Sequence, residues 1–374
     1  MLRITSPALS PALKNFSGQV RTMRREFGMF IALVLMCAGL WFSNHDFLNQ
    51  SNIMNSTRQI AMLGIYAVGV GFVIITGGID LSIGSVIGLT GVLIAKLSSH
   101  AVGCMGYSIW IGISVAMAVA MLIGLAQGLL ITRLKLQPFI VTLGGMLLIR
   151  GISQTVVEGG TLSIGGIPFA KLADSGLFHF NGDPLLPYPV LIFLIVIVLA
   201  TYILHFTVFG RYVYAIGGNR DAADYSGINV KRIETTTYVI SAALGGIAGI
   251  CYASYTGQMS QQVGIGFELP AIAAVVLGGC SLRGGEGTVL GIVIGSAMMK
   301  VIDNGIIMFQ LKVGSRTFRL DTNWTFIIIG AVILIAVILD QVVHIVQGKR
   351  RTRRAGELVA ARQQGFEVAG AKPE

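Results

Sequence analysis

Ten apolar runs, most of them close to the thickness of a lipid bilayer when wound as helix, divide this chain. A helix needs about 20 apolar residues to cross a membrane. The runs are 27–42, 57–76, 81–97, 107–131, 138–156, 188–206, 236–256, 269–279, 288–307 and 324–345, and the eighth is short. Backbone groups in hydrocarbon must be satisfied within their own segment, so such runs fold as helices. Composition agrees: 54% of residues are apolar and 12% charged, against about 25% charged in soluble domains. The expectation is an all-α polytopic membrane protein with about ten transmembrane helices, some short or broken. The transmembrane domain covers 27–346, between a basic N-terminal tail, 1–26, and a basic C-terminal tail, 347–374.

The formal charge of +10 does not mark a nucleic-acid binder, because the basic residues lie at the termini and in short connections. That is the asymmetry of a membrane protein with its basic loops inside. With a cytoplasmic N-terminus, 19 of the 27 basic residues fall on the inner side. The outer loops hold Lys171, Lys312, Arg316 and Arg319, and four more lie in or at the edge of spans. An even number of spans keeps both basic termini cytoplasmic. The first apolar run begins after residue 26 with no small-residue cleavage pattern beyond Trp41, so it reads as a retained span. Cys37, Cys104, Cys251 and Cys280 have no metal-ligand spacing and read as small apolar residues.

Glycine supplies 49 of 374 residues. In lipid it lets helices approach closely. Gly84 and Gly88, Gly245 and Gly249, and Gly287, Gly291 and Gly295 recur at four-residue spacing and read as packing positions.

Three connections stand apart. The first is Gly77-Gly78-Ile79-Asp80-Leu81-Ser82, and the second runs from Gly278-Gly279 through Gly284-Gly285 to Gly287. Both open on paired glycines and lead into a small-residue helix, a hint of duplication. Helix breaks at corresponding places in two halves point to a transport pathway; a turn capped by Asp80 or Ser82 fits the same residues. The third, 207–234, is the longest inner connection, with small and apolar residues at helix-like spacing, and suits a short amphipathic docking helix. The outer loop 157–187 is rich in glycine and proline and reads as irregular.

Charges within spans are functional candidates by default. Arg150 lies near an outer end and reads as snorkelling. Lys300 and Asp303 are three residues apart and pair locally. Asp80 has no partner nearby in sequence, and Arg283 is a candidate for it. A proton-driven secondary carrier for a small polar solute is the alternative class. It is disfavoured because His45, His100, His179, His205 and His344 lie in loops or at span edges. No span carries a nucleophile with a base, or a ligand cluster, so neither enzyme chemistry, a metal nor a cofactor is expected.

At these residues the chain resembles the ribose-type monosaccharide ABC permeases. The matching stretches are 75–85, 136–144, Phe209 to Asn219, 226–231, Glu268 to Gly279, and Asp303-Asn304-Gly305, in family order. The resemblance implies a multi-pass subunit of the bacterial inner membrane that imports a monosaccharide and does not hydrolyse ATP. It implies a second permease protomer, identical or not, a cytoplasmic ABC ATPase and a periplasmic sugar-binding protein. No Walker A pattern occurs, which agrees. Gly210, Arg211, Gly217, Gly218, Asn219, Ala222 and Gly227 are then the expected coupling residues. Asp80, Gln127, Asn304, Phe72 and Tyr66 have the polar and aromatic chemistry of a sugar pathway or gate. Gly77, Gly78, Gly278, Gly279, Gly284 and Gly285 are the expected helix breaks. Arg283 and Glu286, which charge the second glycine turn, and Lys300 depart from the family pattern. A reporter active only in the periplasm, fused after Gly348, is expected to stay silent; strong activity there rejects an even number of spans.

Overall fold

A computed structural model describes residues 11–345 apart from 159, 165–168, 170–171, 174, 181–182, 314–315, 320–323, 326, 336, 339–340 and 343–344. The helices are α1 (Pro11–Ser43), α2 (Gln50–Ile75), α3 (Ile83–Ser98), α4 (Ile109–Arg133), α5 (Pro138–Val157) and α6 (Tyr188–Thr201). They continue with α7 (Val208–Gly218), α8 (Arg220–Tyr225), α9 (Val230–Thr256), α10 (Glu268–Leu277) and α11 (Val289–Met308). A π-helical turn, Tyr202–Phe206, extends α6. Seven helices are long and apolar enough to cross a membrane among the described residues. The shorter α3 and α10 occupy the third and eighth expected spans. The tenth expected span is helical at 324–325 and 327–335.

The outer loop differs from the irregular segment its composition suggests. Strands β2 (Gly176–Phe180) and β3 (Asp183–Pro187) form an antiparallel hairpin. β1 (Thr161–Ser163) pairs with β4 (Gln258–Ser260), so hydrogen bonds join segments that are remote in sequence. A third pair, β5 (Gln310–Val313) and β6 (Arg316–Arg319), follows α11.

The core is built around α2, whose residues from Ala61 to Ile75 are all buried. A helix that is apolar all round belongs inside a bundle. The outer helices show their apolar side chains outward instead: Leu122, Leu148 and Val198 are all more than 60% exposed. Such a surface fits lipid, which is as apolar as the side chains facing it. Helix α1 is held to α11 at both ends. Thr288 Oγ1 donates to Glu26 Oε1 over 2.6 Å, and Asn44 Nδ2 donates to the Met308 carbonyl over 3.0 Å.

Most of the spaced glycines sit where helices touch. Gly245 meets Ile83, Gly249 meets the Ile87 carbonyl and Thr90, Gly291 meets the Gly278 carbonyl, and Gly295 meets the Ala274 carbonyl. Gly287 is the exception, lying in the turn before α11. Gly84 and Gly88 receive a different element. The segment after β4 runs back along α3, with Met259 against Gly91, Val263 against Gly88 and Gly264 against Gly84. Helix α10 therefore starts deep in the bundle, and its ten residues span only about 15 Å.

Gly249→Val is expected to destabilise the fold by about 1–3 kcal/mol, because its side chain has backbone in its way. Gly151→Val, where nothing lies within 4 Å, is the control. Melting in detergent checks this, with a lower midpoint for the first variant only.

Candidate functional site

Three glycine-rich segments that are far apart in the chain meet at one point. Helix α2 ends on Gly77 at φ +84°, and α10 ends on Gly279 at φ +83°. The closing hydrogen bonds match: Gly78 N donates to the Val73 carbonyl (2.9 Å), as Cys280 N does to that of Val275 (3.0 Å). This is the glycine cap that satisfies the last carbonyls of a helix. The two caps correspond, but Gly77 aligns with Gly279 rather than with Gly278, one residue away from the register the paired glycines suggest.

The two turns are bonded directly, as Gly285 N donates to the Ile75 carbonyl over 2.8 Å. Helix α7 is the third member. A Cβ on Gly217 would overlap the Ile75 carbonyl and the Gly285 amide. A Cβ on Gly284 would stand 2.9 Å from the Gly217 Cα and 2.9 Å from the Gly77 amide. Only bare backbone fits there. Tyr214 Oη fastens the contact by donating to the Gly287 carbonyl over 2.6 Å.

The long inner connection is two capped helices. Thr207 Oγ1 accepts from Gly210 N (3.3 Å) at the start of α7, and Asn219 Oδ1 accepts from Ala222 N (2.9 Å) at the start of α8. Gly210 is buried against the Leu204 carbonyl. Ile216, Ala223 and Val230 form a small core beneath the pair. Arg220 makes two 2.8 Å hydrogen bonds to Glu234, and this holds its guanidinium above its usual range. The outward side carries Arg211, Gly218, Asn219, Ala222, Tyr225 and Gly227, all exposed. Tyr225 is 91% exposed.

The Asp80 carboxylate is 2% exposed and fully engaged. Oδ1 accepts from Ser82 N (2.9 Å) and Ser82 Oγ (2.7 Å), and Oδ2 accepts from Ser241 Oγ (2.7 Å). Ser82 Oγ also lies 3.0 Å from Gln127 Oε1. Asp80 thus joins the start of α3 to α9 and, through Ser82, to α4. Ser241 lies eleven residues into α9, or about 16 Å along a helix about 40 Å long. The break is therefore near the middle of α9 and not at its end. Arg283 is not Asp80's partner; its Nη2 donates to Gln341 Oε1 over 2.7 Å.

The other pathway candidates do not converge. Phe72 is buried beside Phe209, with ring centroids 6.4 Å apart. Tyr66 is buried and stacks on Phe267 at 6.2 Å. Asn304 Nδ2 donates to Asn52 Oδ1 over 2.8 Å and to Ser56 Oγ. Lys300 and Asp303 pair at 2.8 Å, as their spacing predicts. Arg150, read as snorkelling, instead buries Nη2 without a hydrogen-bond partner among the described residues, as Glu268 does its Oε2. Sequence reasoning passed over Ser241 and Gly145. The first is one of several hydroxyls in its apolar run, with nothing in the sequence to single it out. The second has no side chain because Gln127 Nε2 fills that space.

Residues 52–337 match the family described as the branched-chain amino acid transport system permease component. The ribose import permease protein of Haemophilus influenzae is 37% identical over 83% of this chain and 91% of its own length. That of Bacillus subtilis is 35% identical over 87% and 95%. The xylose transport system permease protein of Escherichia coli is 32% identical over 88% and 95%. No solved structure matches.

Asp80→Ala takes the acceptor from the Ser82 amide and the Ser241 hydroxyl in the interior, at about 1–3 kcal/mol each. Ser241→Ala removes one bond and is expected to cost about 1 kcal/mol. The expected result is reduced membrane abundance and melting temperature for Asp80→Ala, with Ser241→Ala intermediate. Normal abundance with no uptake would instead assign Asp80 to the gate.

Proposed function

Because the chain belongs to the branched-chain amino acid transport system permease component family, we propose that it is the membrane-spanning permease of an ABC importer for a monosaccharide. The observation that carries this is the extent of its likeness to ribose and xylose permeases, at 32–37% identity over more than nine-tenths of their lengths. The chain is a multi-pass membrane protein and not an enzyme. Transport draws its energy from a separate ATPase subunit, and a periplasmic binding protein delivers the sugar. The proton-driven carrier, the alternative open at the level of residues, has no support among these relatives. Two protomers with cytoplasmic termini enclose the pathway.

The outward side of α7 and α8 is the ATPase docking surface in this reading. It has the features that force transmission needs. Two helices are rigidly capped, their inner side is packed, and the Arg220–Glu234 pair ties them to α9. Gly217 passes movement of α7 straight to the backbone of both glycine turns. Those turns end α2 and α10 and precede α3 and α11, so a push on α8 reaches four helices. Asp80 and Gln127 act as the brace that keeps α3, α4 and α9 together under that load. Tyr66, Phe72 and Asn304 lie on α2 and α11, the helices moved by the turns.

Gly227 is a poor test position, because φ +82° strains any other residue there. Ala222→Glu and Tyr225→Ala change exposed side chains only. Both variants are expected to keep wild-type membrane abundance, while ATPase co-purification and sugar uptake each fall about tenfold or more, the size of a lost hot spot. Wild-type association and uptake in both reject the surface. Concentrative uptake by the purified chain alone, in vesicles with a proton gradient, rejects the ABC reading itself.

A further inference from the structure

A groove of about 420 Å³ opens where α4 ends and α9 begins. Leu125 and Leu129 of α4 and Val239 of α9 form its apolar wall. Arg133, Lys231 and Arg232 form its rim. The two leucines are about 40% exposed and face out of the bundle. Leu125 precedes Arg133 by eight residues and Val239 follows Lys231 by eight, so wall and rim are offset by up to about 12 Å along each helix. The apolar wall reaches into the bilayer from both helices, and the charges gather at one membrane surface.

The three cations are exposed, and their surroundings favour an anion. None has an ion pair among the described residues. They converge on one groove and repel one another. Lys231 and Arg232 sit in the first turn of α9, the end of a helix that disfavours positive charge. The nearest acidic group along α9, Glu234, is already held by Arg220. An anion at the rim relieves all three conflicts. An apolar chain attached to that anion fills the wall. A free anion leaves the wall empty, and an acidic protein surface brings nothing to occupy it.

We propose that this groove is a binding site for an anionic phospholipid. The phosphate is held by Arg133, Lys231 and Arg232, and an acyl chain lies along Leu125, Leu129 and Val239. Basic pockets between helices at the cytoplasmic surface suit such headgroups. The position gives the lipid a role. Asn229, whose side chain caps α9, lines the same groove and lies in the short turn between α8 and α9. A lipid there braces the junction between the α7–α8 pair and the membrane-spanning part of α9.

The test is native mass spectrometry of the full-length protein purified in neutral detergent and titrated with phosphatidylglycerol or phosphatidylcholine. The wild type is expected to keep one phosphatidylglycerol per chain, bound about tenfold or more tighter than phosphatidylcholine. The triple variant Arg133→Gln, Lys231→Gln, Arg232→Gln is expected to lose that preference. The triple variant Arg350→Gln, Arg351→Gln, Arg353→Gln has the same net charge and is expected to retain it. If the groove triple variant aggregates, Arg133→Gln and Lys231→Gln singly are each expected to weaken phosphatidylglycerol several-fold. Equal loss in the groove and tail variants overturns the proposal in favour of diffuse charge. Displacement of the lipid by excess inorganic phosphate shows a free-anion site and overturns it too. A wild type without phosphatidylglycerol preference ends the proposal.

Discussion

The hydrogen bond from Gly285 N to the Ile75 carbonyl ties the two glycine turns to each other. The end of a helix leaves carbonyls with no partner inside that helix, and they must be satisfied elsewhere. Here α2 and α10 each break, and each closes its own end with a glycine in the left-handed region. The Ile75 carbonyl is left over, and the other turn supplies its donor. That bond brings the turns so close that no Cβ is tolerated at Gly217, Gly284 or Gly285. The glycines at 77, 217, 279, 284 and 285 therefore follow from one requirement, that two helix ends close against each other.

The same requirement explains why the polar interior is sparse and fully used at Asp80. A buried carboxylate is tolerable when donors surround it, and Ser82 and Ser241 provide three. Gln127 extends this network to α4 at the depth where α3 begins. A chain of small polar residues thus does at the break what packing does elsewhere. Gln127 Nε2, Arg150 Nη2 and Glu268 Oε2 are buried without a hydrogen-bond partner among the described residues. Arg150 and Glu268 form a second polar place. They lie on α5 and at the start of α10, next to the segment that dips back along α3.

Stiffness and mobility are divided along these lines. The α7–α8 pair is capped, packed and salt-bridged, and it touches both turns through bare backbone. In the proposed coupling, a displacement of this pair reaches the helix ends through those contacts. The outer helices present exposed apolar side chains, a surface that suits lipid. The groove on α4 and α9 opens onto that surface.

The sequence by itself determined the solvent, the helical class, the ten apolar runs and the family. Each of these depends on periodicity, composition or ordered motifs, which are local properties. The Lys300–Asp303 pair was legible for the same reason, being three residues apart on one helix. Tertiary structure alone decided that Asp80 answers Ser241, 161 residues away, and not Arg283. It also decided that Gly77 corresponds to Gly279, that the outer loop pairs as strands, and that α10 begins deep inside the bundle. These outcomes depend on which backbones come close enough for hydrogen bonding. A glycine in the sequence permits such an approach but cannot say which segment will make it.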